Sequence, residues 1–230
     1  DSLVGLNGND ALNGGSGADT MAGGVGSDRY TVDSAGDLLV EQPNEGTDQV
    51  LVGFSWTLAE GFENLVLTSG TSASGTGNAA VNRMQGNTGA NWLSGLGGND
   101  ALLGGDGADT LEGGAGADAL TGGAGADRFL FGSITDRQDR ITDFAGGVDQ
   151  LVFASVGFGG LAAGAVGAAN FVAHASLLAT AATGTPQFVY HTGQGVLLFD
   201  ADGMGGAAGL RLGVFSGAPT VLASDLVIVA

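Results

Sequence analysis

Four aspartates, Asp100, Asp109, Asp118 and Asp127, stand nine residues apart in a stretch that is otherwise mostly glycine, alanine and leucine. Written in nines from Gly95 it reads GLGGNDALL, GGDGADTLE, GGAGADALT, GGAGADRFL. Asp holds the sixth place of each nine, a large apolar residue (Leu102, Leu111, Leu120, Phe129) the eighth, and glycine the first and fourth. Glycine reaches backbone conformations closed to other residues and lets neighbouring chains approach closely. Such a turn bares carbonyl oxygens, and the Asp sets a carboxylate beside them. The chemistry of that donor set is hard-cation binding. Calcium takes about 6–8 oxygen ligands at roughly 2.3–2.6 Å, carbonyl and carboxylate alike. A flexible glycine-rich linker would not hold Asp and Leu in fixed register through four repeats.

The pattern resembles the GGxGxDxUx nonapeptide of the RTX, or hemolysin-type, calcium-binding repeat family. The resemblance implies an all-β fold, a right-handed parallel β-roll (a calcium-binding β-solenoid) in two repeat blocks with a C-terminal β-rich cap. In such a roll the first six places form a turn and the last three a short strand whose eighth side chain points into the core. Two nonapeptides close one coil, so each turn stacks on the turn eighteen residues later. One turn gives the carbonyls of places two and four plus its Asp; the next gives those of places one and three plus its own.

Carried onto this chain, the family pattern groups Leu96, Gly98 and Asp100 with Gly113, Ala115 and Asp118, and Gly105, Gly107 and Asp109 with Gly122, Ala124 and Asp127. It also groups Leu6, Gly8 and Asp10 with Gly23, Val25 and Asp28, and sets Gly14, Ser16 and Asp19 against the turn that ends at Asp1. Asn87, Gly89 and Asn91 face Gly104, Asp106 and Asp109; Gly95 and Gly97 lie on the near side of Asp100; Gly114 and Gly116 accompany Asp118 toward Asp136, eighteen residues on. Asp106 occupies place three, so only its backbone carbonyl is expected to reach an ion.

The elements that must position these turns follow along the chain. Residues 1–68 are read as a first repeat block followed by irregular coils. Asp1 to Val4 match places six to nine of a nonapeptide, which suggests a fragment of a longer protein. Three nonapeptides then begin at Gly5, Gly14 and Gly23, and Asp37 stands eighteen after Asp19. From 31 to 69 the glycine motif disappears, yet β-like runs remain at 38–40, 49–52 and 64–67, separated by Gly, Pro, Asn and Glu clusters. These suit further coils without regular ions, and GDLLVEQPNEGTDQV resembles a connector found within RTX regions.

Residues 69–153 are read as the second block and its closing segment. In GNAAVNRMQ and GNTGANWLS, Asn82 and Asn91 replace Asp, so ions beside them should bind more weakly. Trp92, at place seven, should face outward. DRITDFAGGVDQLVF resembles the segment that closes RTX rolls, with Asp143 and Asp149 as candidates for a terminal ion or a cap. Residues 154–230 form a C-terminal flanking region. A short helix is expected near 168–180, then a hairpin of 188–190 and 196–199 around HTGQG. Asp200 and Asp202 in DADG read as a strand-end turn rather than an EF-hand, which needs a distal Glu. The ending SDLVIVA resembles the uncleaved C-terminal signal of type I secreted bacterial proteins.

The composition sharpens this. The chain has 230 residues, 46 of them glycine, and 24 acidic residues against 6 basic ones, all arginine, for a net charge of −18. Nucleic acid is an unsuitable partner for so acidic a chain. No run reaches the roughly 18 apolar residues of a transmembrane segment. With no cysteine there is no disulfide or thiolate site. His174 and His191 are the only histidines, and neither HExxH nor GxSxG is present. No catalytic residue is assigned, so this stretch reads as not itself an enzyme. The resemblance implies several bound calcium ions, a secreted, extracellular or cell-surface location, and type I secretion machinery and an upstream domain of the same polypeptide as partners. Two other settings fit the same repeats: the C-terminal part of a secreted protease, lipase or polysaccharide-modifying enzyme, and an adhesin or surface-layer segment.

Overall fold

The computed structural model describes residues 1–136, 138–167, 169–175, 184–202 and 209–230. Among these the chain is all-β apart from two short 3-10 turns, Ser155–Phe158 and Ala223–Asp225. Three sheets of three, twelve and eight strands form the walls of a β-solenoid. The chain passes from one wall to the other at each turn, and successive coils pair in parallel.

The register is the repeat length. Leu102 lies beside Leu120, Leu93 beside Leu111, Leu12 beside Tyr30 and Leu3 beside Met21, each pair eighteen residues apart. Two nonapeptides therefore close one coil. The three-residue strand of each repeat alternates, so its middle residue points inward. Leu12, Met21, Tyr30, Met84, Leu93, Leu102, Leu111, Leu120 and Phe129 are all buried in one continuous core. Each such side chain contributes about 1.5–3 kcal/mol by leaving water. A one-residue slip would turn the whole row outward.

Coils without the motif keep the stack but change length. Arg29 pairs with Gln49 and Gln49 with Asn64, steps of 20 and 15 residues. The expected strands appear as Leu38–Val40, Gln49–Val52 and Asn64–Leu67. One wall breaks here: Leu38–Val40 ends the three-stranded sheet and Trp56–Thr57 begins the eight-stranded one.

The C-terminal region closes the roll. Strand Leu210–Phe215 pairs in parallel with Asp139–Ile141, and Leu226–Val229 with Gln150–Ala154. The segment between departs from the helical expectation: Phe171–His174 is a strand, paired in parallel with Gln187–His191. The aromatic Phe171 and β-branched Val172 suit a sheet edge better than a helix. The rest of that expectation, at 168 and 176–180, lies outside the described residues. The hairpin is present, Gln187–His191 antiparallel to Val196–Asp200. Phe153, Phe158, Phe188 and Phe199 pack ring to ring beneath it. No helix among the described residues is long and apolar enough to cross a membrane.

Candidate metal centres

The repeat aspartates form ladders at the turn edges. Asp118 Oδ1 accepts the backbone N–H of Asp100, and Asp109 Oδ1 that of Asn91, both at 2.7 Å. Asp127 Oδ1 accepts that of Asp109 at 2.9 Å. In the first block Asp28 Oδ1 accepts from Asp10, Asp37 Oδ1 from Asp19, and Asp19 Oδ1 from the N-terminus of Asp1. The second oxygen of Asp10, Asp19, Asp28, Asp100, Asp109 and Asp118 is buried with no hydrogen-bond partner. A buried carboxylate oxygen without a donor or cation costs several kcal/mol. The turn is thus built around an oxygen that its own backbone leaves unmatched.

Two kinds of glycine shape this edge. At place one the need is space: a Cβ on Gly95 would strike Asp100 Oδ2 and the carbonyl of Gly113, and one on Gly104 would strike Asp109 Oδ2 and the carbonyl of Gly122. At place four the need is conformation, as at Gly107, with φ +119°. Leu6 and Leu96 hold the positive-φ second place without being glycine. The place-one contacts bring Asp100 Oδ2 toward the Gly113 carbonyl, and Asp10 Oδ2 likewise toward that of Gly23. The carbonyls at places two and three carry backbone bonds already: Leu96 accepts from Ala115, Ala115 from Gly98, Val25 from Gly8 and Ala124 from Gly107. Each keeps a second lone pair. An oxygen-only donor set with an unmatched buried carboxylate suits calcium.

A family model for the RTX calcium-binding nonapeptide repeat, in four copies, matches residues 1–30, 76–111 and 103–133. These are RTX calcium-binding repeats. Similar solved structures include the solution structure of a subunit of the Azotobacter vinelandii mannuronan C5-epimerase. It is 26% identical, with a TM-score of 0.42 over 64% of this chain and 78% of that one. No curated protein sequence matches significantly.

Within the RTX blocks the structure brings most of the expected groups together and moves others. Gly14 lies against Asp19, and Gly89 faces Gly107 across the turn. Asp106 is exposed at place three, its N–H bonded to the Asn87 carbonyl. The turns with Asn are closed differently. Asn91 Oδ1 accepts the N–H of Asn87 at 2.8 Å, and its amide donates to Ala73. Asn82 does the same with Asn78 and Phe62. An Asn side chain brings its own donor, so these turns complete their hydrogen bonding internally where an Asp turn leaves an oxygen over.

Asp136 does not take the register position after Asp118. That coil lengthens to twenty-one residues, and Asp139 Oδ1 accepts the Asp118 N–H at 3.1 Å. Asp136 instead accepts the N–H of Ser133 at 2.9 Å and closes its own turn. Asp143 accepts from Gly122 and Gly123, and Asp149 from Asp127 and Ala145, so both tie down the last repeat turns. Asp139 escaped sequence reasoning because the spacing changed there. Glu41 and Asp48 escaped it because they lie outside the nonapeptides; the one hint was Asp48, twenty residues after Asp28 in the ladder.

Burial holds the carboxyls of the second block protonated to unusually high pH. Desolvation pushes Asp100 up to about 7 and Asp109 to about 6, the backbone donors of Asn82 and Asn91 opposing it. Asp118, Asp127 and Asp139 move the same way for the same first cause. An unfolded Asp titrates near 3.9, so the calcium-free fold binds extra protons between about pH 4 and 7. Its stability is therefore greatest at the acid end of that window and is lost as pH rises. Calcium needs the ionised form, so its stabilisation runs the other way. In metal-stripped protein the folded fraction read by far-UV circular dichroism should fall from pH 5.5 to pH 7.5, whereas thermal midpoints in saturating calcium should rise over the same range. Equal trends with and without calcium would show that these carboxyls do not meet the ion.

Proposed function

We propose that this chain is an export-coupled folding module. It stays unfolded at the low calcium of the cell interior, folds on meeting calcium outside, and so stabilises a domain that precedes it in the same polypeptide. The ions are held between stacked turns by the groups named above, Leu96, Gly98, Asp100, Gly113, Ala115 and Asp118 being one such set. The observation that carries this reading is the row of buried, unpartnered Asp oxygens on a chain of net charge −18. A site that does not exist in the unfolded chain turns metal-binding energy into folding energy. Self-repulsion of the uncompensated charge keeps the metal-free chain open.

The C-terminal tail supplies the export signal in this reading. Ser224 to Ala230 are acidic and then apolar, and Leu226–Val229 forms the last parallel strand. In the open, metal-free chain this segment is unpaired and available to an exporter. Deleting residues 224–230 should abolish secretion through a type I exporter and leave calcium uptake by the first repeat block unchanged. Normal secretion of the deletion would refute the signal assignment.

A further inference from the structure

A second kind of acidic centre lies where the wall of the roll breaks. Asp28, Glu41 and Asp48 each place a carboxylate oxygen within 4.8 Å of the other two. All three residues are buried, with 2%, 8% and 0% exposure. Asp28 Oδ2, Glu41 Oε2 and Asp48 Oδ2 have no hydrogen-bond partner. Their other oxygens are used: Asp28 Oδ1 by the N–H of Asp10, Asp48 Oδ1 by that of Asp28, and Glu41 Oε1 by the Tyr30 hydroxyl. Tyr30 OH in turn accepts the N–H of Gly23, and a side chain at Gly23 would collide with Asp28 Oδ2, Glu41 Oε1 and that hydroxyl.

We propose that Asp28, Glu41 and Asp48 form a hard-cation site, suited to calcium or a trivalent lanthanide, that fastens the interrupted wall of the roll. The reasoning is electrostatic. Three carboxylates this close and this dry repel one another, and each unpartnered oxygen opposes folding. Desolvation raises the pKa of Glu41 and Asp48, the physical mark of the same cost. A multivalent cation removes the repulsion and gives the three free oxygens a partner. The ligands are all oxygen, which favours calcium over softer metals. The location gives the site its use. Glu41 directly follows Leu38–Val40, the last strand of the three-stranded sheet, while Asp28 and Asp48 precede neighbouring strands Arg29–Val32 and Gln49–Val52 of the twelve-stranded wall. An ion there ties the loose end of one wall to the continuous one.

This site rests on the proposed calcium uptake of the roll for the identity of the ion and shares Asp28 with the last turn of the first block, whereas Glu41 and Asp48 stand outside every nonapeptide. The test counts calcium bound to the full chain by equilibrium dialysis, for wild type, Glu41→Gln, Asp48→Asn and the double variant. Each should bind one ion fewer than wild type, and the double variant also one fewer rather than two. Terbium luminescence guards against a variant that fails to fold: Tyr30→Phe keeps all three carboxylates, so terbium still binds, but the tyrosine-excited emission of this site is lost. Variants that bind as many ions as wild type, with Tyr30→Phe emission unchanged, would overturn the site and leave the roll reading intact. A wild-type chain that takes up no calcium or terbium would overturn both.

Discussion

Stripped of calcium at pH 7.5, the chain should lose most of its β-sheet signal in far-UV circular dichroism and regain it in millimolar calcium. The favourable side of folding is modest for this composition. In the three-residue repeat strands the core row is one apolar residue wide, as at Leu12, Met84 and Leu111, and each member contributes about 1.5–3 kcal/mol. Ordering costs about 1–2 kcal/mol per residue of backbone, and more at glycine, of which there are 46. Against that narrow margin stand the unpartnered oxygens of Asp10, Asp19, Asp28, Asp48, Asp100, Asp109 and Asp118. A buried carboxylate oxygen with neither a donor nor a cation opposes folding, so without metal these positions favour the open chain. Calcium reverses the sign of each contribution. Magnesium should restore the signal poorly, because it demands tight octahedral geometry and keeps its waters. The same β signal in metal-stripped and calcium-loaded protein would overturn the switch.

The regular part of this architecture was readable because one residue type was repeated at one spacing. Asp at place six and Leu at place eight fix both the coil length and the inward row, and Leu102 beside Leu120 is the direct consequence. Legibility ended where coil length varied. Asp136 stands eighteen residues after Asp118, but Asp139 holds the register because the intervening turn accommodates three more residues. Nothing local marks that choice; it is decided by Ile141 packing beneath Leu120. Glu41 was hidden for a related reason. Its carboxylate reaches Asp28 and Asp48 only through the stacking of three unequal coils. The Asn turns were legible as weak metal positions, but not that Asn91 and Asn82 would close their own hydrogen bonds. Strand Phe171–His174 was missed because an Ala- and Gly-rich surround favours a helical reading, whereas a partner strand seventeen residues on decides the outcome.

Asp109→Ala and Asp106→Ala, three residues apart in one turn, should differ sharply in the calcium midpoint for folding. Asp109 is fully buried; Asp106 is exposed. Asp109 Oδ1 accepts the Asn91 N–H and its Oδ2 is unpartnered, beside the Gly122 carbonyl that nears the same place-one glycine. Alanine there leaves the Asn91 amide without its acceptor, at about 1–3 kcal/mol. On the proposed ligand assignment it also removes a charged group from the turn shared with Asp127. Coils contact only their neighbours, so the damage should spread along the stack, raising the midpoint at least about tenfold, the factor that follows from roughly 1.4 kcal/mol. Asp106→Ala removes an exposed charge and keeps the backbone N–H bonded to the Asn87 carbonyl. Surface changes stay within about 0.5 kcal/mol, about twofold in midpoint. Its charge also helps to hold the Asp109 carboxyl protonated, so losing it should slightly favour the ionised ligand. Fixed salt keeps general screening equal for both variants. Equal shifts would mean that diffuse negative charge holds the ions, and the assignment of ligands to particular stacked turns would have to be abandoned.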